Sequence, residues 1–427
     1  MKGKYAPTGI QPACNFKDAY RALRRGLIGD RSLFDAYYVR RPDSPVEELK
    51  NRLLVDDEDC HTLYLGTRRS GKTTELGRLA YELEDKFLPV FISVLSDMEP
   101  SDVKPIDLLL LSTAKLAAAA LQAQVRVGRD LETDIAEWLL HNTNEVFRTK
   151  VTETGRGAKA GVGLNAVVGE LGASFGVDAK LRTEVRERLV PRVAELAEKT
   201  VLLAAKVRQF LGRDPLIIID DIEKIDLADQ EEMFGKHAVT LTRPSVRTIY
   251  TADKALVYLP SWNLIRASFP QSVEVHSLTT VKRDGSPDND GLSLLRNLLL
   301  RRVQPSLFEP RALTKLTEIC NGVMGDLLEV AQSCCTAAMA DDSPTITGDI
   351  VGRRYQDLSD NFRRMVDETD YPRLAEIHKT REARKDADLG KLLFMHAVVE
   401  YRDAQGLFYD VHPAVVPILK QKKLTPA

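Results

Sequence analysis

The chain has 427 residues, more than one typical domain and enough to bury a sizeable core. Apolar residues make up 44% and charged residues 29%, and 60 Lys/Arg against 62 Asp/Glu leave a net charge of −2. That balance removes any global electrostatic case for nucleic acid or an anionic membrane and leaves only local patches.

In chain order, residues 1–30 read as a helical lead-in, with Phe16, Tyr20, Leu23 and Leu27 spaced to one face and no apolar core of a signal peptide. The turn-rich RRPDSP at 40–45 precedes a helix over Val46–Leu54. TLYLG at 62–66 is a short strand that runs into a glycine- and arginine-containing loop. A helix from Lys72 to Leu83 and a strand over Pro89–Val94 follow. From 100 to 210 the pattern is mostly helical. The run Ile106–Leu121 carries Asp107, Lys115 and several alanines, which marks a buried helix rather than a membrane span. The glycine- and alanine-rich stretch 155–177 fits either two short strands in a hairpin or a flexible loop.

Leu216–Ile219, Arg247–Tyr250 and Val273–Val275 are further strands. Strands alternating with helices predict a parallel sheet covered on both faces. KRDGSPDNDG at 282–291 reads as a polar linker, and 292–340 as helices only. The tail starts helical at about 346 and ends in Ala397–Tyr401, a DAQG turn and Leu407–Val411, a hairpin signal. Five cysteines (Cys14, Cys60, Cys320, Cys334, Cys335) show no disulfide framework or CxxC spacing, and the seven histidines do not cluster. Reduced thiols, and a cytoplasmic protein with no membrane partner, are expected.

Gly66-Thr67-Arg68-Arg69-Ser70-Gly71-Lys72-Thr73 matches GxxxxGK[ST] at every defined position, with a strand before it and a helix after it. Glycines let the backbone wrap phosphate, and successive N–H groups with the helix N-terminus make an anion site. Lys72 would reach the β- and γ-phosphates, Thr73 would ligate Mg²⁺, and Thr74 would add a bond to the α-phosphate. The metal needs a carboxylate at a neighbouring strand end, and LIIIDDIE supplies Asp220. Asp221, with Glu223 as its rival, would orient or activate the attacking water. The segment Thr251-Ala252-Asp253-Lys254 has the letters of a guanine-reading NKxD element in the wrong order, which favours ATP over GTP.

Tyr37-Tyr38-Val39 and Arg40-Arg41-Pro42, a short helix and then this loop resemble the same region of origin-recognition-type AAA+ ATPases. The DDxE strand end also resembles signal-transduction ATPases with numerous domains. The resemblance spans roughly residues 31–345, loosely over 100–210. It implies that Val39 and Pro42 line an adenine pocket and that Thr251 senses the γ-phosphate. It also implies that Arg266, with Arg243 and Arg247 as rivals, serves as an arginine finger for a neighbouring subunit. Asn321-Gly322-Val323-Met324-Gly325-Asp326-Leu327-Leu328 resembles a lid motif, but Gly325 stands where that motif has an arginine. Slow hydrolysis, or a stable nucleotide-bound state, is the expectation from that departure.

The expected layout is a lead-in at 1–30 and an α/β P-loop core of AAA+ type at 31–281. A helical lid at 282–345 and a winged-helix-like domain at 346–427 complete it. Such a domain binds DNA in one of these groups and holds the protein shut in the other. Nine Lys/Arg face nine Asp/Glu between 350 and 388, and Lys420, Lys422 and Lys423 add only a short cationic end, so DNA is disfavoured. The expected function is an ATP-binding switch that self-associates as a homo-oligomer and controls a separate effector protein, in signalling or anti-phage defence. A DNA-associated AAA+ protein of initiator or loader type is the alternative, and a small-molecule kinase a third.

Overall fold

The computed structural model describes residues 10–24, 30–55, 61–143, 147–149, 151, 164–320 and 322–425. One sheet holds five strands: β1 (His61–Gly66), β2 (Phe87–Ser93), β3 (Asp214–Asp220), β4 (Thr248–Ala252) and β5 (Gln271–Val275). Their spatial order is β2-β3-β4-β1-β5 and every neighbouring pair is parallel. Strands such as Leu216–Ile219 are apolar throughout because both faces are covered. Ile217 and Ile219 join Leu63, Leu65 and Val90 on one face, while Leu216 and Ile218 join Tyr64, Leu76 and Val273 on the other.

The register sets Ser93 beside Asp220, Ile219 beside Tyr250, Tyr64 beside Thr251 and Gly66 beside Val275. The carboxyl ends of the strands therefore open along one edge, where open parallel sheets take their ligands. Helices α2 (Arg31–Tyr37), α3 (Val46–Val55) and α4 (Lys72–Glu82) bring the upstream segment to that edge. The lead-in helix α1 (Phe16–Ala22) packs on the helix Met324–Ala340, with Ala19 and Leu23 in that helix's core.

Between β2 and β3 the chain inserts a helical layer, whose longest members are Pro105–Gln122 and Val193–Leu211. Pro105–Gln122 is long and apolar enough to cross a membrane by composition, yet 67% of it is buried inside the protein. Its one buried carboxylate, Asp107, is held by Arg186. The expected hairpin or loop at 155–177 is not what forms over its described part, since Leu164–Ser174 is an α-helix. Residues 155–163 lie outside the described residues. Leu164, Val167, Val168 and Leu171 repeat at helical spacing and bury against Pro105–Gln122, a period masked by the glycines between them.

Helices Asn289–Leu300, Pro310–Ile319 and Met324–Ala340 form a second core around Leu295, Leu299, Leu316 and Cys334. A third core belongs to helices Gly348–Met365, Tyr371–Thr380 and Ala387–Phe394 and to a hairpin of β6 (Val398–Asp403) and β7 (Gly406–Val411). The hairpin register runs from Val398 opposite Val411 to Asp403 opposite Gly406. This helix-and-wing module sits on the sheet domain through a buried ionic cluster. The Lys254 ammonium, just past β4, pairs with Glu400 of β6, lies 2.7 Å from His276 Nδ1 and 3.2 Å from Glu274. The Tyr258 hydroxyl also donates to Glu400.

Burial opposes ionisation of Glu400, but His276, Lys254 and Tyr258 outweigh it and hold the carboxyl down to about 2. Glu400→Ala leaves the ammonium with His276 and the partly exposed Glu274 and is expected to cost about 3 kcal/mol, the lower end for a broken buried pair. A fall in the urea midpoint would show it. In the wild type the folded carboxyl titrates below its unfolded value. Its stabilisation is thus complete above the ordinary glutamate range and is lost as pH falls toward 2.

Candidate functional site

Strand β1 ends at Gly66, and the loop 67–71 turns directly into α4. Gly71 has φ +89°, a left-handed backbone that favours glycine, and a Cβ there would press only on the mobile end of Met324, 2.8 Å away. Arg69 also adopts the left-handed region, at φ 65°. Lys72 is buried, and its ammonium donates to the carbonyls of Gly66 and Thr67, each at 2.8 Å. It lies 3.3 Å from Glu223 Oε1. The Ser70 hydroxyl is buried without a partner. Backbone N–H groups at the start of α4 complete a cradle for an anion.

Beside that cradle, carboxylate oxygens of Asp220, Asp221 and Glu223 come within 4.8 Å of one another. Burial, then the charges of Glu223 and Asp221, push Asp220 up to about 6, against a hydrogen bond from Thr73. Asp221 takes the left-handed backbone at φ 70°, and its carboxylate accepts from the Ser93 hydroxyl and the Lys224 ammonium. Glu223 is 2% exposed and its Oε2 has no partner. An all-oxygen set of this kind, with the Thr73 hydroxyl beside it, fits a hard divalent cation such as Mg²⁺.

A cavity of about 290 Å³ joins the cradle to the lid. Gly71, Lys72, Thr73, Thr74, Asp221 and Glu223 line one part of it. Tyr37, Val39, Leu298, Arg302, Met324 and Leu328 line another. Val39 is thus where the sequence placed it, but Pro42 is exposed and outside the lining. Its neighbour Arg41 lines the wall instead, donating to Ser70 O at 3.0 Å and His276 O at 2.7 Å. Thr251 is wholly buried outside the lining, where its hydroxyl accepts the Ile222 N–H at 3.3 Å. It braces the acidic loop from behind. Arg266 and Arg243 are exposed and outside the cavity. Arg247 is buried against Asp214 at 2.6 Å and is not free for another subunit.

The two arginines of the phosphate loop point away from the cradle. Arg68 donates to the carbonyls of Glu223 at 2.9 Å, Lys224 at 3.2 Å and Ile225 at 3.3 Å, and its guanidinium lies 4.2 Å from the ring centroid of Phe394. Arg69 pairs with Asp326 and, at 3.1 Å, with Glu329 of the lid helix. The Gly325 N–H donates to Arg69 O at 3.0 Å. A Cβ on residue 325 would lie 2.5 Å from the Arg69 Cβ, so the missing lid arginine has a steric cause. The far side of Asp326 meets His412 Nε2 at 3.1 Å. Although burial works against it, His412 and Arg69 hold Asp326 well below the usual carboxylate range.

Sequence reasoning missed three groups. His396 has its Nε2 buried without a partner, and burial lowers its pKa to about 3, so the ring is neutral. Asp326, His412, Arg69 and Lys72 are close enough to act on it, which puts a side chain of the last module near the phosphate cradle. Asp253, wholly buried at the end of β4, is pushed up to about 7 by burial and keeps one unpartnered oxygen. Asp326 with His412 is the third. The adjacent arginines within GTRRSGKT were the only signal, since a loop that merely binds phosphate does not need both.

No protein-family profile and no curated protein matches the chain. Among solved structures it is similar to Cdc6p from Pyrobaculum aerophilum, at 13% identity over 93% of this chain and 99% of that one, with a TM-score of 0.37. The Aeropyrum pernix ORC1 protein, solved in complex with DNA, gives 11% identity, 95% and 97% coverage and a TM-score of 0.41. The Walker-type ATPase paby2304 of Pyrococcus abyssi gives 14% identity, 90% and 96% coverage and a TM-score of 0.40. The strand order and phosphate loop of the chain itself decide the class. The fold is α/β, a five-stranded parallel sheet with a phosphate-binding loop after β1.

Gly325→Ala is expected to overpack the contact between lid and loop and to cost about 1–3 kcal/mol. A lower melting temperature of the purified chain would register it, and an unchanged one would mean that the lid is not seated on Arg69.

Proposed function

We propose that the chain is an ATP-binding, slowly ATP-hydrolysing switch that self-associates and controls a separate effector protein, in a signalling or anti-phage setting. One observation carries the reading: the loop built to hold phosphate is also the point to which the lid and the last module are fastened. Arg69 holds the lid through Asp326, and Arg68 holds the acidic loop and stacks on Phe394. Filling the cradle with phosphate therefore acts on all of these contacts at once.

In this reading Thr73 and Asp220 hold Mg²⁺, whose charge neutralises the phosphates as they separate. Lys72 leaves the carbonyls of Gly66 and Thr67 for the β- and γ-phosphates. The adenine lies between Val39 and the lid. Glu223 rather than Asp221 orients the attacking water. Both residues line the cavity, but Glu223 keeps an oxygen with no partner among the described residues, whereas Asp221 is committed to Ser93 and Lys224. Arg266, exposed on the helix Trp262–Ser268, is free to reach a neighbouring copy.

A DNA-associated role is disfavoured by the charge of the last module, where residues 350–388 carry nine Lys/Arg against nine Asp/Glu.

Mass photometry with and without Mg·ATP tests the switch. A discrete larger species should form with ATP and be lost in Lys72→Ala, and a chain that stays monomeric in every state would refute self-association. Phosphate release separates the two acids. Glu223→Gln should slow turnover about 100-fold or more, while Asp221→Ala retains most of it. The reverse order would return the role to Asp221.

A further inference from the structure

Part of the cavity wall away from the phosphate loop is apolar, although Arg24, Arg41 and Glu75 also line the cavity. Tyr37, Val39, Leu298, Met324 and Leu328 offer rings and hydrocarbon, which hold any flat base by stacking and burial without choosing between bases. Arg302 interrupts them. It lines the cavity yet is only 3% exposed, and its guanidinium lies 5.0 Å from the Tyr37 ring centroid. Its Nη1 donates to Tyr37 O at 3.1 Å and to Leu298 O at 2.9 Å. Its Nε–H, equally buried, has no acceptor among the described residues. No carboxylate pairs with it among the described ion pairs, and burial lowers its pKa to about 10.

A guanidinium carries five N–H donors and no acceptor, so an unused donor beside a ligand cavity calls for an acceptor on the ligand. A buried donor without a partner is costly to the empty protein, and a ligand that satisfies it recovers that cost on binding. The part of the cavity concerned is the part left for the base once phosphates occupy Lys72 and Thr73. The unsubstituted ring nitrogens of a purine are acceptors at its edge. A pyrimidine ring is smaller and presents its acceptors closer to the sugar.

We infer that Arg302 is the base-reading residue of this site, its Nε donating to a ring nitrogen of a purine and so setting preference for purine over pyrimidine nucleotides. The inference rests on the nucleotide reading above and adds a specificity determinant to it. The Nη1 bond to Tyr37 O has a separate, positioning task. Arg301 performs a comparable task alone, donating to Tyr38 O at 2.7 Å. The neighbouring arginine is therefore the natural control.

The test compares dissociation constants of the full chain for Mg·ATP, Mg·CTP and inorganic tripolyphosphate, which has no base. The wild type should bind ATP at least about tenfold more tightly than CTP. Arg302→Lys keeps a cation able to reach the carbonyls of Tyr37 and Leu298 but removes the Nε fork. It should weaken ATP about tenfold, leave tripolyphosphate unchanged and erase the margin over CTP. Arg301→Met should leave the ratio of ATP to tripolyphosphate affinity as in the wild type. Ligand-free melting temperatures exclude a folding defect as the cause, and Arg302→Met gives a second reading if the lysine variant melts early. An unaltered ATP-to-tripolyphosphate ratio in Arg302→Lys overturns the inference, as does an equal change in Arg301→Met. If the wild type binds tripolyphosphate but discriminates no base, base reading falls and phosphate binding stands. If it binds neither, the nucleotide reading falls and takes this inference with it.

Discussion

The ion pair between Arg69 and Asp326 joins the phosphate loop to the lid, and much of the arrangement around the cavity depends on it. Asp326 is 3% exposed, so its charge is tolerable only because Arg69 meets it on one side and His412 on the other. His412 is itself wholly buried, stacked on Phe362 with ring centroids 4.7 Å apart. A single carboxylate thus links the loop after β1, the lid helix and the last module. Removing any one of the three groups leaves another buried polar group unsatisfied, which makes the assembly cooperative rather than a set of independent contacts.

The second bond between the last module and the sheet domain, Lys254 to Glu400, follows the same physics from the other side of the sheet edge. Lys254 lies just past β4 and only two residues beyond Ala252, which pairs with Leu65 at the foot of the phosphate loop. Both clasps therefore bear on the same strand ends that form the cradle. Apolar contact between lid and module involves Val323 with Val399, Tyr401 and Phe408, and Ile350 and Val351 of Gly348–Met365 sit in the lid's own core. The module is thus held both by apolar packing and by the buried pairs that Glu400 and Asp326 make.

The strands and the chemical motif were legible in the sequence because each is a local signal. LIIIDD is apolar throughout with acids at its end, and GTRRSGKT is a pattern of adjacent residues. Strand bounds moved by a few residues, and Arg247 fell outside β4 into a pair with Asp214. The helix at Leu164–Ser174 was hidden because glycines at 169 and 172 dilute a helical period and mimic a loop. The roles of Arg68, Arg69, Asp326, His396 and His412 were out of reach for a different reason. Each depends on a partner far away in the chain, 257 residues in the pair of Arg69 with Asp326. Pro42 illustrates the converse, since a resemblance put it in the pocket while the backbone turned its neighbour Arg41 inward.

Gly325 connects these threads. In the lid motif that the segment resembles, an arginine stands at this place and reaches the phosphates from outside the loop. Here the backbone of Gly325 rests on Arg69, its N–H bonded to the Arg69 carbonyl, and there is no room for a side chain. The loop's own arginine turns outward and meets the lid's acid instead. The charge that the motif carries on the lid is carried here on the loop, and the polarity of the contact is reversed. An arginine aimed from the lid at phosphate would be drawn in by the ligand and close the lid further. An arginine that leaves the phosphate loop to hold the lid instead ties the position of the lid to the conformation of the loop itself.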